Sequence, residues 1–231
     1  MSLVRGIGFK GEAHVYPDCV YALEMPSIPE TQDNAGNELV VGMSPMAYCD
    51  PRRYWIQDQI AYEAFVRKLV VFGAWLTDRH RLMLLSTDIW FDSQTLVKVD
   101  EALKSDAHTN ATHLLIDTPV VIATIETLLS QMSTMDYVIT CRFHGVIFAH
   151  LMNIPVIALS HHPKVSTLMA DLGLSEFCID IDTFDVELLT ATFTRLVADR
   201  AAIKVRMAEK VALYKSALTT QFDQLFAPEA I

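Results

Sequence analysis

Arg142, Phe143, His144 and Gly145 stand between a short apolar, β-branched run, Tyr137 to Thr140, and an apolar stretch, Val146 to Met152, that reads as a helix. A guanidinium can fork onto two oxygens of one carboxylate or phosphate, and an imidazole near neutral pH can donate a hydrogen bond or move a proton. A turn between strand and helix is where the free N–H groups and positive dipole end of the helix favour an anion. Pro155 then ends the helix and leads into a second buried run, Val156 to Ser160, whose end delivers His161, His162 and Lys164. Two neighbouring strands are thus expected to end in cationic side chains. The competing reading is structural: Arg142 paired with a carboxylate of the fold, and His144 capping or packing.

The elements that must hold these residues follow from the pattern of the whole chain. From Leu39 onward short apolar runs alternate with longer amphipathic segments, the signature of βαβ units and a mostly parallel sheet. Strands are expected at Leu39 to Met43, Arg81 to Leu85, His113 to Ile116, Tyr137 to Thr140, Pro155 to Leu159 and Phe177 to Ile181. Helices are expected over Gln57 to Leu76, where Ile60, Ala64, Phe65, Leu69, Phe72 and Leu76 recur at helical spacing, and over Asp92 to Lys104 and Val120 to Met132. Asp185 to Phe226 reads as two long helices. Residues 1–38 show no sustained period, contain Pro17, Pro26 and Pro29, and read as a lead-in or interdomain linker before a Rossmann-like domain over 39–231.

Other side chains fall at expected strand ends. Ser44, beside Pro45, can hydrogen-bond a phosphate, and Asp88 or Asp117 can orient a histidine, accept a hydroxyl proton or cap the next helix. Arg52 and Arg53, after Asp50 and Pro51, offer further positive charge or a solvated surface. Cys141 sits beside the turn as a small packed residue rather than a nucleophile. Gly6, Gly8 and Gly11 spell G-x-G-x-x-G, but too few residues precede them for a strand and Pro17 follows, so no dinucleotide site is expected there. No Walker-type phosphate loop and no H-E-x-x-H occurs, and His161 and His162 are adjacent rather than spaced for a metal, so no metal is assigned.

With 231 residues, 52% of them hydrophobic, the chain can bury a large core. Its four cysteines, Cys19, Cys49, Cys141 and Cys178, form no C-x-x-C pair and suggest neither a zinc cage nor a disulfide framework. A net charge of −10 argues against nucleic acid and makes any anionic substrate depend on a local basic pocket. No apolar run is long enough for a transmembrane span, and a cytoplasmic location, in solution or peripheral to the inner face of the membrane, is expected.

At these residues the sequence resembles the polysaccharide pyruvyl transferase family. The resemblance rests on Arg142, Phe143, His144 and Gly145, on Ile154-Pro155-Val156, on the His162 to Val165 stretch with Leu168 to Leu174, and in pieces on Val15 to Leu23 and Val40 to Tyr48. It implies a sheet equivalent to the C-terminal domain of a GT-B-like fold, whose other Rossmann-like domain is expected to lie outside these residues. It implies transfer of the enolpyruvyl unit of phosphoenolpyruvate onto two hydroxyls of a sugar, free or lipid-linked, as a ketal, without a cofactor, in exopolysaccharide or cell-surface glycan synthesis. On that resemblance Arg142 and His144 are the donor-binding pair and His144 is also the acid/base candidate; Phe143, Gly145 and Lys164 belong to the matched stretches, and Ser44 and His161, read from their strand ends, complete the donor-binding candidates. Two alternatives stay open: a GT-B glycosyltransferase using a nucleotide sugar, whose paired glutamates occur here only as Glu30 and Glu38 in the linker, and a non-catalytic anion-binding domain.

Overall fold

The computed structural model describes residues 2–25, 38–105, 116–117 and 124–226. Helix α1 (Ser2–Gly6) and a 3-10 turn at Cys19–Ala22 come first. Then follow β1 (Val40–Ser44), α2 (Gln59–Thr77), β2 (Arg81–Leu84), α3 (Ile89–Ser105), β3 (Ile116–Asp117), α4 (Ile125–Met132) and β4 (Tyr137–Thr140). The second half adds α5 (Phe143–Leu151), β5 (Val156–Ser160), α6 (Pro163–Asp171), β6 (Cys178–Asp180), α7 (Val186–Ala198) and α8 (Arg200–Phe226).

Among the described residues the six strands form one sheet in the order β3-β2-β1-β4-β5-β6, and every pairing is parallel. The chain therefore walks outward from β1 to β3, returns, and walks outward again from β4 to β6. The reversal lies between β1 and β4, where Ser44 pairs in register with Thr140. Open α/β sheets bind ligands outside the carboxyl ends of the strands at such a reversal.

Helices cover both faces, so the central strands lack polar alternation: all residues of β4 and β5 are buried. Helix starts carry local reasons. Asp58 accepts the Ile60 and Ala61 N–H groups at 2.9 and 3.0 Å, and Asp185 accepts that of Leu188 at 2.7 Å. Two helices begin earlier than expected. Asp88 accepts the Phe91 N–H and starts α3 at Ile89, which places Asp92 inside its first turn. Arg142, in extended conformation, is the cap of α5, so His144 and Gly145 belong to the first turn of that helix rather than preceding it. The parts of expected elements at 113–115 and 120–123 lie outside the described residues.

Gly145 has a packing reason. A Cβ there would stand 2.5 Å from Oγ1 of Thr140, the buried last residue of β4, whose same oxygen accepts the Arg142 N–H at 3.2 Å. The segment read as a lead-in is anchored at Cys19–Ala22. Tyr21 is fully buried, meets Tyr214 of α8 edge-on, and shares a hydrogen bond with Nδ1 of His150 in α5. The N-terminal glycines frame no phosphate loop: Gly6 ends α1, and Gly8 has a φ of 88°.

Candidate functional site

The carboxyl ends of β1, β2, β4 and β5 deliver most of the side chains singled out above. Arg142 lies two residues beyond Thr140. Its Nε donates to Asp92 Oδ2 at 2.8 Å and its Nη2 to Asp92 Oδ1 at 2.7 Å, while the same Nη2 stands 3.5 Å from Oδ2 of Asp88. Asp92 is fully buried and also accepts the Ala47 N–H at 2.9 Å. One carboxylate thus joins the loop after β1, the first turn of α3 and the turn after β4. Burial raises the Asp92 carboxyl from its ordinary value, against the lowering pull of Arg142 and the Ala47 amide. Three donors on one carboxylate, two of them from a guanidinium, favour the ionised pair. The expectation that Arg142 offers a free fork is corrected accordingly: one edge is committed to Asp92, and only Nη1 makes no hydrogen bond among the described residues.

Ser44 supplies the complementary feature. It is buried at the end of β1, beside Thr140, and its Oγ has no hydrogen-bond partner among the described residues. Thr87 Oγ1, in the loop after β2, is likewise buried without a partner. Such atoms cost stability unless something satisfies them, and these two follow neighbouring strands, β1 and β2.

His144 is exposed on the first turn of α5 and opens onto a cleft of about 480 Å³ lined also by Ser86, Thr87, Asp88 and Trp90. Phe143, half-buried, packs against the core and meets the His144 ring edge-on at 5.5 Å. On the other side of Arg142, His161 is half-buried after β5, and its Nδ1 has no partner among the described residues. Burial, then the Arg142 charge, depress its pKa and keep the ring neutral. Of the side chains expected to make both strand ends cationic, Arg142 carries its charge in an ion pair and His161 is neutral, which leaves Lys164 as the charge after β5. His162 caps α6 by accepting the Lys164 N–H at 3.1 Å, and the exposed Lys164 side chain forms no ion pair among the described residues. Tyr48, after β1, hydrogen-bonds Asp182, after β6. Since β4 and β5 lie between those strands, this bond crosses their ends; the cleft lined by His144 and Asp88 lies on the β2 side, and a smaller one of about 290 Å³ lined by His161, His162 and Asp182 lies at the ends of β5 and β6.

The remaining candidates have structural occupations. Arg52 forks onto buried Asp50 at 3.0 Å through both Nε and Nη2, and Arg53 donates to the Trp90 carbonyl. Cys141 is buried, and desolvation, then Asp92, push its thiol up to about 12, so it stays protonated. Asp117 ends β3, and its side chain lies outside the described residues. Asp92, Thr87 and Tyr48 were not singled out by sequence. Asp92 enters the sequence reading only as the first residue of an expected helix, and nothing in its local spacing signals burial. Among the described residues no group of three or more His, Cys, Asp or Glu side chains is placed to hold a metal ion, and no helix is long and apolar enough to cross a membrane.

No curated protein matches the chain. A family model described as polysaccharide pyruvyl transferase matches residues 2–163, which takes in the N-terminal segment anchored by Tyr21, the four central strands and the Arg142 turn, and stops at the first residue of α6. With more than half of its length matched, the chain belongs to the polysaccharide pyruvyl transferase family.

Proposed function

We propose that the chain binds phosphoenolpyruvate at the reversal between β1 and β4 and transfers its pyruvyl unit to two hydroxyls of a sugar as a ketal. The observation that carries this reading is the pairing of an oriented guanidinium with an unsatisfied buried hydroxyl. Asp92 fixes one edge of Arg142 and leaves Nη1 without a hydrogen bond among the described residues, and Ser44 Oγ lies unpartnered at the register position next to Thr140. A carboxylate or phosphate placed there accepts from both, in line with the α5 N-terminus.

The chemistry then moves two protons. A sugar hydroxyl oxygen adds to the central carbon of the donor while the methylene carbon takes up a proton and becomes methyl. The phosphate ester departs as a second hydroxyl adds, so the two hydroxyl protons end on the methyl group and on inorganic phosphate. His144, exposed in the cleft that Asp88 and Thr87 share, is the group on this chain that carries a proton to the methylene carbon or to the leaving phosphate. Residues 39–231 form the donor-binding half, and the acceptor arrives across the rim where Trp55, Ile56, Trp90 and Phe91 remain exposed.

Calorimetric titration of the chain and of His144→Ala and Ser44→Ala variants with phosphoenolpyruvate and, separately, UDP-glucose tests the reading. Binding of phosphoenolpyruvate that Ser44→Ala weakens supports it. Preference for UDP-glucose would replace it with glycosyl transfer.

A further inference from the structure

The two carboxylates beside Arg142 differ in kind. Asp92 is wholly buried and engages Arg142 through both oxygens while taking a third hydrogen bond from Ala47, so it cannot leave without stranding a charge. Asp88 keeps 29% of its side chain exposed and stands 3.5 Å from Nη2, beyond the usual charge-assisted range; among the described residues its carboxylate otherwise accepts only a long 3.3 Å hydrogen bond from Phe91. It also lines the same open cleft as His144.

The local charge makes this difference matter. Arg142 contributes one positive charge and Asp88 and Asp92 two negative ones, and His161 beside them is neutral, so the cluster is net negative by one. Arg52 adds nothing, being committed to Asp50. Arg53 keeps its charge at the Trp90 carbonyl beside the same cleft, but at Arg142 itself a polyanionic donor meets two carboxylates, and of the two Asp88 is the one placed to yield.

We propose that Asp88 is an exchangeable counter-ion of Arg142, competing with the donor's anionic group for the same guanidinium nitrogen and setting how tightly this site holds phosphoenolpyruvate. The proposal rests on the donor reading above. An anion entering from the cleft displaces Asp88 toward solvent and takes its place on Nη2, while Asp92 keeps the guanidinium aimed. Asp88 thereby limits affinity for the donor and for the released phosphate alike.

The test is calorimetric titration of the chain and of Asp88→Asn and Asp88→Glu variants with phosphoenolpyruvate and with inorganic phosphate, alongside thermal melting. Asparagine still accepts the Phe91 N–H as a helix cap, so Asp88→Asn removes charge without removing the cap. Removing one like charge beside the ligand is expected to tighten both ligands roughly tenfold in Asp88→Asn, whereas Asp88→Glu stays near the parent and all three proteins melt alike. Structural damage lowers affinity and cannot mimic that gain. Phosphoenolpyruvate binding that is unchanged or weaker in Asp88→Asn, with melting unaltered, would overturn the counter-ion proposal alone. Phosphate binding that tightens while phosphoenolpyruvate never binds would overturn the donor reading and leave the counter-ion standing. Binding of neither ligand to any of the three proteins would overturn both.

Discussion

Arg142 and Asp92 meet edge to edge, at 2.8 and 2.7 Å, across fifty residues of sequence, and the carboxylate in that pair has no exposed surface. The pair sets the direction of the guanidinium and at the same time makes Arg142 a structural residue. Arg142→Ala is therefore expected to lose about 3 kcal/mol of stability, because it leaves a buried carboxylate without its partner. Arg142→Met combined with Asp92→Leu should recover most of that loss, since removing both charges leaves nothing stranded. Urea midpoints of the single and double variants check this, and a double variant no more stable than Arg142→Ala would contradict it.

Ser44 is expected to show the opposite balance. Its buried Oγ has no partner among the described residues, so Ser44→Ala should leave stability unchanged or slightly raised while weakening phosphoenolpyruvate by about tenfold, the value of one hydrogen bond to a charged group. Thermal melting with calorimetry separates the two effects. A large drop in melting temperature would show that the hydroxyl serves the fold.

Gly145→Ala should be costly although helices ordinarily favour alanine. The new methyl would meet Thr140 Oγ1, which the Arg142 amide holds in place, and relief requires moving either β4 or the turn. A destabilisation of about 2 kcal/mol is expected. Adding Thr140→Ser, which removes the methyl group but not the hydroxyl, should relieve little, whereas Thr140→Ala should relieve most of it.

Acid should loosen the attachment of the N-terminal segment through His150. This ring is buried in α5, shares its Nδ1 with the Tyr21 hydroxyl, and has its pKa lowered by burial from 6.5 to about 3. The unfolded chain takes up a proton across that window and the folded chain does not, so stability rises with pH there. The contribution is fully present above about 6.5 and is lost as pH falls toward 3. Between pH 7 and pH 4.5 the parent should lose about 2 kcal/mol more than a His150→Gln variant. Equal losses in urea titrations at the two pH values would contradict the assignment.

The sheet was legible because parallel strands buried on both faces leave continuous apolar, β-branched runs, and β4 begins and ends where its sequence reads. Boundaries set by side-chain caps were less so. Helices α3 and α5 start at Ile89 and Phe143, three residues before the expected positions, because the caps Asp88 and Arg142 set those starts, and of the residues they add Ile89, Trp90, Phe91 and Phe143 are apolar and mark no boundary. The site was half legible. The residues at the strand ends could be named from order and spacing, but the partner of Arg142 is a carboxylate from a different βα unit, and no local pattern announces a tertiary ion pair. The neutrality of His161 likewise comes from burial beside a guanidinium, and the burial of Tyr21 from contacts with α5 and α8 that a proline-containing, aperiodic segment gives no reason to expect.

The most direct test of the donor site is an X-ray structure of the chain crystallised at saturating phosphoenolpyruvate. The account predicts the donor at the carboxyl ends of β1 and β4, with an anionic group within hydrogen-bond reach of Ser44 Oγ and Arg142, its methylene carbon toward His144, and Asp88 turned away from Nη2. Phosphoenolpyruvate bound elsewhere on the surface, with Ser44 still unpartnered and Asp88 still on Arg142, would contradict it.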